Sequence, residues 1–395
     1  MAESETGSKP AHSPSTNSPS TRRRKSSWNL TVSFSVLVPI VLAAVVYKLE
    51  PFEPAHFPEH ELSSHILTVP ARNEHMLTGS EQLGLGQVSG PEDLIYDAAS
   101  RVVYTGCVDG WIKRVWIGES VNDSVVEDWV NTGGRPLGLA FWSNGEVLVA
   151  DPYKGLLKVT KDGEIEVLTV EADGVKFKFV DGVDVAKDGM IYFTDVSYKY
   201  SFHDFIFDIL EGKPHGRFVS YNPTTKQTTV LVRDLYFANG VVVSPDQSHV
   251  IFCETVMRRC RKYYIQGPKK GSTENFIENL PGMPDNIHYD GEGHYWIAIS
   301  SSITSFWDLA LRYPFIRKIT AIIEKYAGRP SMEKNGGVLA VDLEGKPVAH
   351  YYDLRLSLIS SGIKIGDHIY CGSLHLPYII RLNVKQYPAQ LTSTT

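Results

Sequence analysis

The chain has 395 residues, 43% of them apolar and 11% aromatic, and a net charge of −6. That composition supports a large packed core and excludes a wholly disordered chain. The charge is uneven: up to Ser27, Lys9, Arg22, Arg23, Arg24 and Lys25 face only Glu3 and Glu5, so the remainder stands at −9. An acidic body without basic stripes argues against nucleic acid as a partner and suits a cation or a cationic small molecule.

Residues 1–27 are rich in Ser, Pro and Thr, show no apolar periodicity and close on Arg22-Arg-Arg-Lys25. Such a segment buries too little to offset chain entropy, and a flexible cytosolic tail is expected. Residues 30–47 form an uncharged, mostly apolar run of 18 residues, close to the roughly 20 that a helix needs to cross a bilayer. With the basic cluster on its N-terminal side, the positive-inside rule predicts a single-pass type II signal anchor over 28–49. The rest of the chain would then be lumenal or extracellular, in the endoplasmic reticulum, vacuole or plasma membrane. Ala43-Ala44 also suits a cleaved signal peptide, although the long tail ahead of the apolar run favours the anchor. A linker over 50–73 is expected to lead into one folded domain over 74–390.

Within that domain a pattern recurs: a polar turn, then an apolar strand. The polar members are Gly90-Pro-Glu92-Asp-Leu94, Arg135-Pro-Leu137-Gly-Leu139, Val180-Asp181-Gly-Val183, Ala238-Asn239-Gly-Val241 and Pro284-Asp285-Asn286-Ile287, with a degraded copy at Ser361-Gly-Ile363. Glu92, Leu137 and Asp181 follow one another at about 45 positions, as do Asn239 and Asp285, which is the spacing of propeller blades. The expected fold class is all-β, a six-bladed β-propeller. Two stretches break the rhythm with helical periodicity, 201–210 and the region from Ser302 to about Glu333. Both leave from loops between strands, so they could form a lid on one end or pack as ordinary covers.

Asp and Asn next to Gly are common turn formers. Glu92, Asp181, Asn239 and Asp285 nevertheless occupy equivalent places in different blades, so propeller symmetry would gather them near the axis. Carboxylates and amides so gathered would suit a hard cation, since calcium takes six to eight oxygen ligands. Asn122-Asp-Ser124 is an acceptor sequon for N-glycosylation, whereas Pro223 blocks the one at Asn222. Of the four cysteines, Cys253 and Cys260 flank a polar hairpin and are the pair the spacing favours for a disulfide, with buried free thiols as the alternative. No zinc-protease, serine-hydrolase or P-loop motif is present.

Several ordered motifs carry a family resemblance. Arg217-Phe-Val-Ser-Tyr-Asn-Pro-Thr-Thr225, Leu235-Tyr-Phe-Ala-Asn-Gly-Val-Val-Val-Ser-Pro-Asp246, Cys253-Glu-Thr255 and Leu280-Pro-Gly-Met-Pro-Asp-Asn-Ile287 resemble the strictosidine synthase-like family, in its membrane-anchored branch. The resemblance implies a six-bladed propeller with a central channel, within a larger superfamily of calcium-dependent lactonases and paraoxonases. It implies Glu92, Asn239 and Asp285 as calcium ligands, with Asn286 as an additional asparagine and Asp181 in place of a more usual Asn. The general-base histidine of the paraoxonase-like enzymes corresponds to Leu137. The glutamate of the true synthase falls near Ser360, where 354–366 holds no Asp or Glu. Strictosidine-type condensation of an amine with an aldehyde is therefore disfavoured. The expected function is calcium-dependent hydrolysis of a small ester or lactone with Asp285 as the catalytic carboxylate, and the alternative is a membrane-tethered binding propeller without catalysis.

Overall fold

The computed structural model describes residues 28–58, 66–328 and 333–391; the tail expected over 1–27 lies outside them. The chain divides into two units, Met1–Pro51 and Phe52–Thr395. The first contains one helix, α1 (Trp28–Leu49), 22 residues long with Pro39 inside it and Lys48 in its last turn. Its side chains are described from Phe34 onward. Among the described residues no helix is long and apolar enough to cross a membrane, which leaves the anchor expected over 28–49 unconfirmed.

The second unit is a six-bladed β-propeller. Its first strands, Leu94–Asp97, Leu139–Phe141, Val180–Val185, Ala238–Val243, Gly282–Tyr289 and Ile359–Ile365, each open a sheet whose first four strands are antiparallel. Neighbouring first strands pack against one another all the way round, the last against the first, and so form a closed ring. The sixth blade is completed by the N-terminal strand Glu81–Leu83, which pairs antiparallel with Ile379–Asn383 and joins the two ends of the ring. Of the stretch expected as a linker over 50–73, the described residues from Phe52 onward belong to this unit. Phe57 and Val69 are buried, and Ala71–Asn73 adds to the outer edge of the fifth blade.

Strand periodicity explains the core. Side chains alternate between the two faces of a strand, and each blade has a neighbour on both sides. In Val147–Asp151, Val147 and Val149 pack toward the first blade, while Leu148 and Ala150 pack toward the third. In His249–Glu254, Val250 and Phe252 face the third blade and Ile251 the fifth. Double-sided burial is why these strands read as continuous apolar runs rather than alternating ones. Cys253 and Cys260 lie opposite each other on adjacent strands of the fourth blade and are joined by a disulfide, whereas Cys107 and Cys371 are buried thiols.

Both interruptions are helical. The first gives α2 (Phe205–Glu211), closed by Gly212 in the left-handed region. The second gives α3 (Ser305–Arg312), whose N-cap Thr304 accepts from the Trp307 amide, and α4 (Pro314–Ala327), opened by a proline. They share one apolar cluster with Leu137, Phe179, Phe237 and Met283 from blades two to five, so both insertions cover the same end of the propeller. Arg317 of α4 holds this lid together. Its guanidinium is fully buried and donates to the carbonyls of Ala310 at 2.9 Å, Leu210 at 3.1 Å and Glu211 at 3.2 Å, and also to that of Ala55. The far end of α2 is tied down through Glu211. Burial alone would raise this carboxyl, but hydrogen bonds from Lys199, Lys213 and His215 hold it at about 2.

Candidate functional site

A small cavity of about 50 Å³ lies beneath the lid. Its walls are apolar, with Phe179, Phe205, Phe237 and Trp307 among them, and its polar lining includes Glu92, Asp181, Asn239 and Asp285. These four come from four different blades, so the structure brings together the residues that the repeat placed in register.

The local backbone explains how. Asp181, Asn239 and Asp285 sit within first strands, not in turns. The glycines that follow the axial positions are there for close approach. A Cβ on Gly138 would stand 2.2 Å from the Asp181 carbonyl oxygen, one on Gly182 2.7 Å from that of Asn239, and one on Gly240 2.5 Å from that of Asp285. None of the three has a positive φ. Three of the axial carbonyls are also tied to the preceding blade. Gly138 N–H donates to Asp181 at 3.0 Å, Thr194 Oγ1 to Asn239 at 2.7 Å, and Ser360 Oγ to Glu92 at 2.7 Å. Gly240→Ala must push backbone against backbone, so we expect a loss of about 1–3 kcal/mol of stability, read as a lower urea midpoint; an unchanged midpoint would contradict this packing.

The side chains sit in an unusual electrostatic setting. Glu92, Asp181, Asn239 and Asp285 are all buried. Burial foremost, then Asp181, Asp93 and Asp285, push the Glu92 carboxyl well above the usual carboxylate range, with only Arg135 opposing. Asp181 is raised to about 7 by burial and by Asp93. Asp285 is raised well above its ordinary value by burial and by Asp181, against a hydrogen bond with Asn239. Three buried carboxyls in mutual repulsion cannot all ionise without a compensating charge.

Glu92 Oε2, Asp181 Oδ1 and Asn239 Oδ1 are buried and find no hydrogen-bond partner. Buried polar atoms are ordinarily satisfied, and each exception calls for an explanation. Three acceptor oxygens from three blades, all bordering one cavity, fit a hard cation by donor type and would be satisfied by one. As the side chains stand, however, among the described residues no group of three or more His, Cys, Asp or Glu is placed to hold a metal ion.

Asn286 does not border the cavity; its amide donates to Glu92 Oε1 at 2.9 Å and orients that carboxylate. Leu137, where the resemblance implies a histidine, is buried in the cavity wall. Ser360, near the place of the synthase glutamate, holds the Glu92 backbone. His203 is exposed and His215 is bound to Glu211 at 2.9 Å; among the described residues that line the cavity there is no histidine. Asn122 lies exposed in a short turn of the first blade.

Sequence reasoning missed Arg135, a cation close to Glu92, and Glu333, a further carboxylate on the cavity lining. It also missed Asp93, whose carboxylate accepts from the Leu139 amide at 2.9 Å, from Ser361 at 2.8 Å, and pairs with His288 at 2.7 Å. The Glu92-Asp93 pair was visible in sequence, but only the closed ring separates the two roles.

Fold and site define a class, the six-bladed propeller with a lidded acidic pocket on its axis. The fold matches a gluconolactonase of Xanthomonas campestris, with a TM-score of 0.55 and 15% identity over 85% of this chain and 99% of that one. It also matches a calcium-binding regucalcin of Agrobacterium tumefaciens, with a TM-score of 0.52 and 16% identity over 82% and 97% of the two chains. Two family profiles match within the propeller: "Strictosidine synthase-like, N-terminal" over residues 71–115 and "Strictosidine synthase" over 181–268. Protein strictosidine synthase-like 6 of Arabidopsis thaliana is 57% identical over 90% of this chain and 96% of its own length. Adipocyte plasma membrane-associated protein of Gallus gallus is 32% identical over 90% and 89%. The chain belongs to the strictosidine synthase-like family.

Proposed function

We propose that this protein is a calcium-dependent hydrolase of a small ester or lactone with an apolar body, tethered to a membrane by α1. The observation that carries the reading is the set of partnerless oxygens of Glu92, Asp181 and Asn239 at the acidic end of an apolar cavity. Glu92, Asp181, Asn239 and Asp285 would hold the ion, with Asn286 keeping Glu92 in place. When bound, calcium supplies a positive charge that polarises a carbonyl oxygen and draws the carboxyls into their ionised forms. The gluconolactonase and the calcium-binding regucalcin that share the fold support this chemistry.

The chain's own residues do the rest. Phe179, Phe205, Phe237 and Trp307 would bind the apolar body and keep bulk water out. With Leu137 unable to take a proton, Asp285 is the carboxylate that would activate water at the ligand. Glu333 and Arg135 add charge at the pocket without the same axial position. The disulfide and the exposed Asn122 sequon support an oxidising, lumenal or extracellular setting, and the name of the Gallus gallus relative, adipocyte plasma membrane-associated protein, supports the tether.

Replacement of the histidine by Leu137 favours a second reading, a binding propeller that holds the same ligands without cleaving them. The test is hydrolysis of aryl esters and lactones by the full chain with calcium and with chelator. Calcium-dependent turnover is expected, and Asp285→Asn should lower it about 10²–10⁴-fold, as for loss of a general base. A calcium-loaded protein that binds such compounds and turns over none of them would establish the binding reading instead.

A further inference from the structure

The cavity wall holds a donor that the protein leaves without an acceptor. Trp307, on α3, borders the cavity and is 1% exposed, and its indole Nε1–H makes no hydrogen bond. A buried indole N–H ordinarily finds a partner. Each hydroxyl and amide side chain on the same lining has one. Thr255 Oγ1 donates to the Pro284 carbonyl at 2.7 Å, Ser300 Oγ to that of Met283 at 3.2 Å and Ser301 Oγ to that of Ser302 at 3.2 Å, while Asn239 is hydrogen-bonded to Asp285. Among the described residues of the lining, the indole is therefore the only hydroxyl, amide or indole side chain whose donor is unspent. Its surroundings do not make good the loss. The ring is packed in the apolar cluster of the lid, with Ile206 and Ile209 of α2 and Leu311 of its own helix, and none of these side chains carries an acceptor.

We infer that Trp307 is a substrate-binding residue that donates its indole N–H to an acceptor oxygen on the body of the ligand. This role rests on the reading of the cavity as the substrate site, and it narrows the class of substrate. The lining carries two kinds of partnerless atom. The acceptors of Glu92, Asp181 and Asn239 call for a cation, and the donor of Trp307 calls for an oxygen. The reading above assigns the reacting carbonyl to the ion at the axial residues, which leaves the lid donor for a second oxygen: an ether, ketone or hydroxyl on an otherwise apolar body. A few placed polar groups in an apolar wall are what fix the orientation of a small ligand. A site built to bond such an oxygen also rejects the analogue that lacks it, because the donor is then left buried and unpaired. The substrate is accordingly an oxygenated ester or lactone rather than a plain hydrocarbon one, and Trp307 sets that preference.

The test follows the indole N–H itself, in proton–nitrogen correlation spectra of the full chain with calcium. The chain has seven tryptophans, and the one indole signal lost in Trp307→Phe belongs to Trp307; Trp307→Tyr serves the same assignment if the Phe variant does not fold. The probes are 4-methoxyphenyl acetate and 4-ethylphenyl acetate, which match in size and differ by one ether oxygen, with the corresponding acetanilides where the esters are cleaved. We expect the methoxy compound to move the Trp307 signal downfield in a saturable way and the ethyl compound not to. By calorimetry the wild type should prefer the methoxy compound by about 3–10-fold, the worth of one hydrogen bond, and the preference should fall toward one in the variant. A signal that neither probe moves, or a preference that is the same in wild type and variant, would overturn the inference. Hydrolysis is scored separately. Turnover with no methoxy preference would remove the role of Trp307 and leave the hydrolase, whereas a shifted indole without turnover would keep the role and remove the hydrolase.

Discussion

In the presence of a chelator, the protein should become less stable as the pH rises from about 4 to about 7, the reverse of the usual behaviour of ion-paired carboxylates. Asp181 and Asp208 are raised to about 7 and Asp195 to about 6, each mainly by burial. Between the ordinary carboxylate value and these raised ones, the native chain holds more protons than the unfolded chain, so stability is highest on the acid side and falls as each group is forced to ionise. A shift of about three units corresponds to roughly 4 kcal/mol for one carboxyl at full ionisation, an upper limit for a coupled group. Glu211 works in the opposite sense: held at about 2, it stabilises above the ordinary glutamate value and loses that contribution as pH falls further. The expected profile of urea midpoints against pH is therefore a maximum near pH 4 to 5, with a descending limb that Asp181→Asn flattens. Calcium should flatten it too, by supplying the charge that ionised carboxyls lack. Midpoints that climb through this window, identically in wild type and Asp181→Asn, would contradict the electrostatic account.

Arg317→Met should release the lid. The substitution keeps much of the apolar stem but removes donors to Ala310, Leu210 and Glu211. A buried polar group left unsatisfied costs about 1–3 kcal/mol, so a lid-opening equilibrium shifted by about 3 kcal/mol, roughly 100-fold, is expected. The blades do not share these bonds, so the loss should be local. Hydrogen exchange should accelerate in α2 and α4 while amides of the fourth-blade strand His249–Glu254 keep their protection. Uniform acceleration across lid and blades would mean that lid and propeller unfold as one unit.

The blades were legible in the sequence because each strand is buried on both faces and therefore reads as an apolar run, and because Glu92, Leu137 and Asp181, and again Asn239 and Asp285, recur at blade spacing. What the Asp-Gly and Asn-Gly pairs do was not legible. Read locally, Asp181-Gly182 and Asn239-Gly240 could equally be turns; only the contact of each glycine with the carbonyl of the next blade, more than 40 residues on, shows that they let first strands touch. Arg135 escaped notice for the same reason, since its nearness to Glu92 exists only in the closed ring. The strand Glu81–Leu83 was hidden by its shortness, and its partner lies at the other end of the chain. Helical periodicity correctly placed both lid segments, but it could not tell which face of α4 turns inward. A stripe of Phe and Ile looks like core until the buried bonds of Arg317 reverse it.

The central claim is that Glu92, Asp181, Asn239 and Asp285 form one cation site. Calorimetric titration of calcium into the metal-free full chain, beside Glu92→Gln and Asp285→Asn, tests it most directly. The account predicts one saturable site in the wild type, at least about tenfold weaker in either variant, and a calcium-dependent rise in Tm that follows the same order, since a ligand of the folded state alone stabilises it. Wild type with no binding heat and no change in Tm, or variants that bind calcium as the wild type does, would contradict it.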